Sequence, residues 1–375
     1  MLQKLRLINF KSAKDLEVKL SPLTVLTGLN GSGKSTVLQS IALVKQTLNV
    51  GHTRLLLQGP LIRLGRSEDI QFEGAETDRI ELIVSSQGSE SYFTAIANHG
   101  ADSLKMVSAG NVTELTKELN TGFQFIQADR LTPALQYDQA STIDHLNGWL
   151  GCKGEFTVDY LQRNGDNHIP IARQYIANED ESAKQLLAQT APTPSLQDQV
   201  AGWMQQLSPG IKITATPVDI AESAALRFQY TGTSIDSLSR SHKPSHVGFG
   251  LTYCLPIVVA CLSAPNNALL LLENPEAHLH PRGQAALGAL LAKCAADGVQ
   301  IIVETHSDHV LNGMRVAVKS KVIDAKNIAI HYFTRAIETG QTTLESPKIL
   351  PDGQMDRWIE GFFDQWDRSL DELLD

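Results

Sequence analysis

The segment GLNGSGKST, residues 28–36, fits the pattern G-x-x-x-x-G-K-[S/T] at every fixed position. Glycines allow backbone N–H groups to turn towards a bound phosphate, and the positive end of a following helix favours the same anion. The segment therefore predicts a site for ATP and Mg²⁺, with Lys34 at the β- and γ-phosphates and the Ser35 hydroxyl on the metal. A glycine-rich turn that binds nothing is the alternative. The residues expected to contact ATP are Gly28, Asn30, Gly31, Ser32, Gly33, Lys34, Ser35 and Thr36.

The sequence on either side of this segment predicts a strand, a loop and a helix in that order. Residues 23–27 form a short apolar run, and apolar residues recur at helical spacing over residues 37–48. This is the context that a phosphate-binding loop requires.

Two hairpins and a further strand are predicted in the same part of the chain. Apolar and polar residues alternate over residues 5–7 and 16–20, which is the period of half-buried strands. Residues 80–84 and 92–96 flank a polar run that contains a glycine, and residues 123–126 resemble a core strand. We expect an antiparallel β lobe here.

A second segment with candidate functional residues is LLLLENPE at residues 269–276, which predicts an apolar strand that ends in carboxylates. Such a strand end can bring an acidic group to Mg²⁺ and its water, whereas solvated acids capping a buried strand are the alternative. A helix over residues 283–296 and a strand over residues 299–303 follow, which predicts a β-α-β unit with parallel strands. The two halves of the nucleotide site are thus far apart in sequence.

The middle and the end of the chain differ from these two halves. Pro, Asn, Gln and Asp accumulate over residues 132–207, and helices are predicted at residues 183–187 and 200–207, so we interpret this part as an inserted helical lobe.

The last residues predict an amphipathic acidic helix that packs on its own domain or docks a partner. Its apolar positions are Phe362, Phe363, Trp366, Leu370 and Leu373. We predict an N-terminal ATPase half, the insertion, a C-terminal ATPase half and a C-terminal strand and helix at residues 1–131, 132–210, 211–330 and 331–375.

Composition narrows the class of protein. The 375 residues are 42% hydrophobic and 19% charged, which are values of a folded chain. A net charge of −9 does not support a nucleic-acid-coating surface, although a local basic groove is compatible with it. No signal-peptide core or membrane-length apolar run is visible. The four scattered cysteines predict buried free thiols, and we expect a cytoplasmic protein.

Four motifs together resemble a known family. They are INFKS (residues 8–12), GLNGSGKST, LLLLENPEAHLHP (residues 269–281) and VETHSDH (residues 303–309). This set resembles the SMC-like, ABC-class ATPases of prokaryotes, in particular the ATPases related to overcoming-lysogenisation nucleases. HYF (residues 331–333) and the acidic C-terminus also resemble one uncharacterised subgroup, while the middle lobe carries little of the likeness.

The resemblance assigns roles after the apolar strand, with one departure. It makes Glu273 the carboxylate on the Mg²⁺ side, and it puts Asn274 where relatives carry the catalytic Glu. An amide cannot act as a general base. Either Glu276 activates the water, or hydrolysis is slow and the protein switches mainly on nucleotide binding.

Three further sites follow from the resemblance. His306 resembles the switch histidine that senses the γ-phosphate, although a lone histidine at a strand end is often structural. Gly248 and Gly250 resemble a degenerate signature loop that contacts a partner's ATP, or else they are a flexible helix start. Gln127 is a candidate Mg²⁺ ligand, and Arg130 is a candidate phosphate contact. The resemblance also implies that His278 and His280, in the HLH segment, belong to a loop that faces the partner in a dimer.

We therefore expect an α/β fold, a P-loop NTPase head of the ABC/SMC-like kind with a mixed sheet, an antiparallel β lobe and a helical insertion. The resemblance implies an ATP-linked homodimer that serves genome maintenance or phage defence with a separate effector, such as a nuclease. A nucleotide-gated scaffold with little hydrolysis is the alternative, and an importer-type transport ATPase fits the motifs less well.

Overall fold

The computed structural model describes residues 1–51, 53–109, 112–176, 184, 186, 188, 190–231, 239–359, 361 and 372–374. Residues 183, 185 and 187 of the helix predicted at residues 183–187, and most of the predicted C-terminal helix, lie outside these ranges. The chain forms two compact units, each of them built from distant segments. The first unit comprises Met1–Thr121, Gln300–Asp308 and Asp324–Asp375, and the second comprises Gly122–Val299 and His309–Ile323. No helix in the described ranges is long and apolar enough to cross a membrane.

The described part of the first unit contains ten strands and three α-helices. The strands are β1 (Leu2–Phe10), β2 (Ala13–Lys19), β3 (Leu23–Gly28), β4 (Arg54–Leu56), β5 (Arg79–Ser86), β6 (Ser89–Ile96), β7 (Ser103–Ala109), β13 (Gln300–Glu304), β14 (Ile328–Arg335) and β15 (Thr342–Glu345). The helices are α1 (Lys34–Asn49), α2 (Ser67–Ile70) and α3 (Thr113–Asn120).

An antiparallel sheet forms the β lobe of this unit, in the strand order β2-β1-β5-β6-β7-β4. Its hairpins follow the alternation in the sequence: Leu5 and Leu7 are fully buried and lie opposite Val18 and Leu16. The β5–β6 pairing has a tighter turn than the polar run had suggested, because the ladder continues to Ser86 and Ser89. The predicted hairpins are confirmed.

The strand before the glycine-rich loop lies inside a mixed sheet. Within the first unit the strands run β15-β14-β3-β13, with β3 parallel to both β13 and β14, and with β14 antiparallel to β15. All six residues of β3 are buried, as expected of a strand with a neighbour on each side. Helix α1 packs on β3 and β13. The predicted strand, loop and helix are therefore present.

The second unit contains the carboxylate strand. Its strands are β8 (Gln124–Ile126), β9 (Tyr137–Asp138), β10 (Ile211–Val218), β11 (Ser223–Tyr230) and β12 (Leu269–Glu273). Its helices are α4 (Thr142–Leu146), α5 (Thr157–Asn164), α6 (Leu196–Met204), α7 (Phe249–Ser263) and α8 (Pro281–Ala296), together with all but the first residue of α9 (Asp308–Lys319). Strand β12 is parallel to β8, and β10, β11 and β9 form a separate antiparallel sheet.

The apolar helix α7 is the centre of this unit. Every residue from Leu251 to Leu262 is buried, which is the pattern of a helix that is hydrophobic on all sides. At its C-terminal end the fully buried Arg173 donates to the carbonyls of Cys261 and Ala264 and forms a salt bridge with Asp297. The buried charge is therefore paired and hydrogen-bonded, as such a charge must be.

The predicted α/β class, with a mixed sheet and an antiparallel β lobe, is confirmed. All four cysteines are free and three are buried, as the sequence indicated. Burial raises the pKa of the Cys254 thiol to about 12, which makes it inert at neutral pH. The β10–β11 hairpin was not predicted. The predicted helix at residues 200–207 begins earlier, since α6 is capped by Ser195, whose hydroxyl accepts from the Asp198 N–H.

Candidate nucleotide-binding site

Two glycines of the loop lie where no other residue fits. Gly28 has φ 137°, and a Cβ there would lie 2.3 Å from the carbonyl oxygen of Phe333. Gly33 has φ 102°, and its Cβ would lie 2.5 Å from Oγ1 of Thr342. Both positions need glycine for conformation and for space. The glycine-rich loop therefore packs closely against β14 and β15.

Lys34 is the first residue of α1 and is 3% exposed. Its Nζ donates to the carbonyl oxygens of Leu29 at 2.8 Å and Gly28 at 3.1 Å. It also lies 3.8 Å from Oε1 of Glu304, the last residue of β13. The ammonium group is therefore folded back over the loop.

Two observations fit an anionic ligand at this loop. Helix α1 starts at Gly33 with no side-chain cap and no acidic residue in its first turn, so its N-terminal dipole is not neutralised from within. The Ser32 hydroxyl oxygen is buried and has no hydrogen-bond partner among the described residues. Ser35 is half-buried on the first turn, while Asn30 and Gly31 are exposed. The residues present thus fit a phosphate chain.

His306 lies at the same sheet edge as the loop. Strand β13 pairs with β3 so that Glu304 lies opposite Leu26, and the next N–H, of Thr305, donates to the Leu26 carbonyl at 3.0 Å. His306 follows and is exposed. The carboxyl ends of neighbouring parallel strands thus bring the loop, Glu304 and His306 to one edge of this unit.

The remaining predicted residues gather in the second unit. Strands β8 and β12 are parallel, with Leu272 opposite Ile126, so Gln127 and Glu273 follow at one edge. The Ala128 N–H donates to Oε2 of Glu273 at 3.0 Å. The half-buried carboxylate of Glu273 is thereby oriented by the chain that carries Gln127.

Arg130, a candidate phosphate contact in the sequence, contacts backbone carbonyls in the structure. It is 2% exposed, and its Nη1 and Nη2 donate to the carbonyl oxygens of Glu273 at 2.7 Å and Asn274 at 2.6 Å. Its guanidinium carbon lies 4.2 Å from the ring centroid of Tyr253. Burial lowers the pKa of Arg130. The arginine holds the backbone after β12.

The backbone after β12 turns sharply under this clamp. Asn274 has φ 42°, and its Oδ1 is buried without a hydrogen-bond partner among the described residues. The turn continues with the Ala277 N–H donating to the Asn274 carbonyl and the Leu279 N–H donating to the Glu276 carbonyl. The segment that carries Asn274 and Glu276 is therefore a turn and not a continuation of the strand.

The signature-like loop touches this turn. Gly248 is the exposed N-cap of α7 and makes no side-chain cap, and a Cβ on Gly250 would lie 2.4 Å from the carbonyl oxygen of His278. The His278 ring packs edge-on against Phe249 and Tyr253, with centroids 4.7 and 5.0 Å away. One aromatic stack thus joins the start of α7 to the turn after β12. The second histidine of the HLH segment, His280, caps α8 instead.

The sequence pointed to neither Glu304 nor Thr342. Thr342 Oγ1 lies 2.7 Å from the Ser12 hydroxyl and 2.8 Å from the Ser32 carbonyl, so it joins the INFKS turn to the loop. One feature of the sequence could have indicated Glu304, since it is an acidic residue at the end of a buried strand and directly precedes the THS segment. Thr342 had none, because its partners lie about three hundred residues away.

Solved structures with a similar fold are SMC heads. The SMC head bound to the C-winged helix domain of ScpA is 15% identical, with a TM-score of 0.51, over 93% of this chain and 98% of that one. An SMC head with an extended coiled coil, bound to the C-terminal domain of ScpA derived from Pyrococcus furiosus, is 14% identical, with a TM-score of 0.52, over 100% and 99%. The fold is therefore that of an SMC-like head.

A family model described as AAA ATPase domain matches residues 1–201, just over half of the 375-residue chain. The chain belongs to this family of ATPases. A second AAA-domain model, whose description refers to the AbiEii toxin and Type IV TA systems, matches residues 165–312. A model for a protein of unknown function matches residues 323–373. Membership of the family supports ATPase activity and implies a bound nucleotide.

A curated relative points in the same direction. The OLD nuclease of Thermus scotoductus is 46% identical over 44 residues, which are 12% of this chain and 8% of that protein. The match spans less than a tenth of the nuclease. The chain is therefore a member of an ATPase family with the fold of an SMC head, and one short segment of it is similar to an OLD nuclease.

Proposed function

We propose that this protein binds ATP with Mg²⁺ at residues 28–36 and hydrolyses it. The observation that carries the proposal is the buried ammonium of Lys34, folded over an uncapped helix start. A phosphate chain at this loop would replace neutral carbonyl acceptors of the ammonium with anionic oxygens, and a bond between two ionised groups is stronger. The unpartnered Ser32 hydroxyl adds a donor.

The proposed Mg²⁺ ligands are those that the sequence predicts, Ser35, Glu273 and Gln127, and the ion would neutralise phosphate charge and order water. The Arg130 clamp and the Ala128 N–H keep the Glu273 carboxylate in place. Since the Asn274 amide cannot accept the proton of the attacking water, Glu276 takes that role, or turnover is slow. His306 is proposed to sense the γ-phosphate.

The test is Lys34→Ala, which removes the proposed phosphate contact. We expect ATP affinity in calorimetry to fall at least about tenfold and phosphate release to stop, since a hydrogen bond to a charged group is worth this much. Lys326→Ala is a matched control, because that side chain is 78% exposed. Wild-type protein that takes up no ATP with Mg²⁺ would refute the proposal.

A nucleotide-gated scaffold with little hydrolysis is the second candidate, and Asn274 favours it. On this view ATP binding alone switches the protein. Multiple-turnover phosphate release above about one per minute, abolished by Lys34→Ala, would eliminate it.

The active unit is proposed to be an ATP-linked homodimer. Gly248 is exposed at the uncapped start of α7, so its neighbouring N–H groups are available to a second nucleotide carried by another copy. The solved SMC heads were captured with ScpA domains, and partner docking on this chain is a further part of the proposal.

We further propose that the ATPase works with a separate effector, such as a nuclease, in genome maintenance or phage defence in the cytoplasm. The similarity to an OLD nuclease and to the AbiEii-related model supports this role. Purification from the native host with a tagged copy tests it, together with ATPase assays with and without DNA. The absence of both a co-purifying protein and nucleic-acid stimulation would count against the role.

A further inference from the structure

Glu304 is an acidic residue at the end of an apolar strand, in the VETHSDH segment, and the resemblance assigned it no role. The other residues of β13 are buried and mostly apolar, and Glu304 itself is only 5% exposed. Carboxylates are rarely buried to this extent unless they are paired. Its cationic neighbour is Lys34, with 3.8 Å between Oε1 and Nζ.

The Lys34 ammonium has three protons to share. It donates to the Leu29 and Gly28 carbonyls, and it also forms an ion pair with the Glu304 carboxylate. Both side chains are almost fully buried, so bulk water screens their attraction poorly. Glu304 therefore fixes the position of Lys34 before any ligand arrives.

A triphosphate that takes Lys34 must compete with this carboxylate. Once the lysine turns to phosphate oxygens, Glu304 keeps its negative charge within a few ångströms of an anionic ligand. A divalent cation on the phosphates reduces this repulsion, because it neutralises part of their charge. The electrostatic repulsion between the Glu304 carboxylate and the bound nucleotide is thus larger for free ATP than for ATP with Mg²⁺.

We propose that Glu304 is a positioning residue for Lys34 that also makes the loop discriminate against metal-free ATP. This rests on the proposed function. The Glu304 carboxylate keeps the Lys34 ammonium in the site and makes the loop prefer ATP with bound Mg²⁺. A purely structural acid would affect folding and not this preference.

The test compares ATP affinity with Mg²⁺ and with EDTA, by calorimetry on the full chain. Glu304→Gln keeps the shape and removes the charge, so we expect the ratio of the two dissociation constants to fall at least about threefold, with most of the gain in EDTA. Asp324→Asn is the control, since it removes one charge at a side chain that is 70% exposed.

An unchanged ratio in folded Glu304→Gln protein would overturn the inference. If that variant does not fold, Glu304→Asp replaces it. The shorter side chain keeps the negative charge but holds it farther from Lys34, so the ratio of the two dissociation constants should fall by a smaller factor. An unchanged ratio there has the same meaning. Wild-type protein that binds ATP under neither condition would instead refute the proposed function, so the two failures are distinguishable.

Discussion

At the scale of the single residue, His331 shows how burial sets a charge. It lies in β14 and is 3% exposed, with Nε2 donating to the Lys19 carbonyl at 2.6 Å and Nδ1 2.8 Å from the Ser346 hydroxyl. Burial lowers the pKa of His331 below the usual 6.5, and the bond to Lys19 opposes this only in part. The neutral imidazole is therefore the folded form.

This predicts a loss of stability in mild acid. Above pH 6.5 the folded and unfolded states are both neutral at this site, so its contribution is fully present there. As pH falls from 6.5 through the lower folded pKa, only the unfolded chain takes up the proton, and this stability is lost at up to about 1.4 kcal/mol per pH unit. Urea unfolding at pH 7.5 and 5.5 should show a smaller difference for His331→Gln than for wild type.

The control for this measurement is His99→Gln, whose side chain is 91% exposed. It should leave the wild-type pH dependence unchanged. Equal pH dependence of wild type and His331→Gln would contradict the assignment.

The sequence identified the loop residues because chemistry fixes their spacing. Gly28, Gly33 and Lys34 each meet a constraint that the pattern encodes. The turn at Asn274 was not predicted, because Arg130, which holds it, is far away in the sequence and leaves no local pattern there. Glu304 was missed for the same reason, since its partner is Lys34.

At the scale of elements, two helices of the second unit approach closely through glycines. A Cβ on Gly288 in α8 would lie 2.1 Å from the Val310 carbonyl oxygen, and one on Gly313 in α9 would lie 2.1 Å from the Ala285 carbonyl oxygen. Backbone carbonyls cannot give way as a flexible side chain can. These helices therefore pack backbone against backbone.

Gly288→Ala should be destabilising despite the better helix propensity of alanine. Overpacking against a rigid carbonyl costs about 2–3 kcal/mol, the upper part of the usual range, and the propensity gain returns about 1 kcal/mol, so we expect a net loss of about 1–2 kcal/mol in denaturant unfolding. Gly313→Ala should behave alike. Gly248→Ala is the control, as its Cβ meets nothing within 4 Å, and it should stay within about 0.5 kcal/mol of wild type. A neutral Gly288→Ala would show that the helices can separate.

Strong periodicity predicted the elements well, and weak periodicity did not. The hairpins of the β lobe and the helix α1 have clear apolar patterns, and the structure contains them. The β10–β11 hairpin was missed because its connection is a short 3-10 turn without glycine and Glu222 has φ 44°. Strands β4 and β9 have only three and two residues, too few for a pattern.

At the scale of the whole molecule, the proposed homodimer gives a prediction of mass. Glu276→Gln should slow hydrolysis and keep the nucleotide bound, so the protein with excess ATP and Mg²⁺ should have twice the chain mass in light scattering, and without nucleotide once that mass. The double variant with Lys34→Ala is the control and should stay monomeric. A Glu276→Gln protein that remains monomeric with ATP and Mg²⁺ would argue against the dimer.

The order in which the chain is made bears on when the ATP site exists. Strand β3 ends at Gly28, but its two neighbours are β13 at Gln300–Glu304 and β14 at Ile328–Arg335. At about 5–20 residues per second, the ribosome needs roughly 15 seconds to a minute to supply them. During that interval the nascent β3 offers two open apolar edges, which is a hazard for aggregation. The sheet under the nucleotide loop is therefore completed late in synthesis, so ATP cannot guide the early folding of this part of the chain.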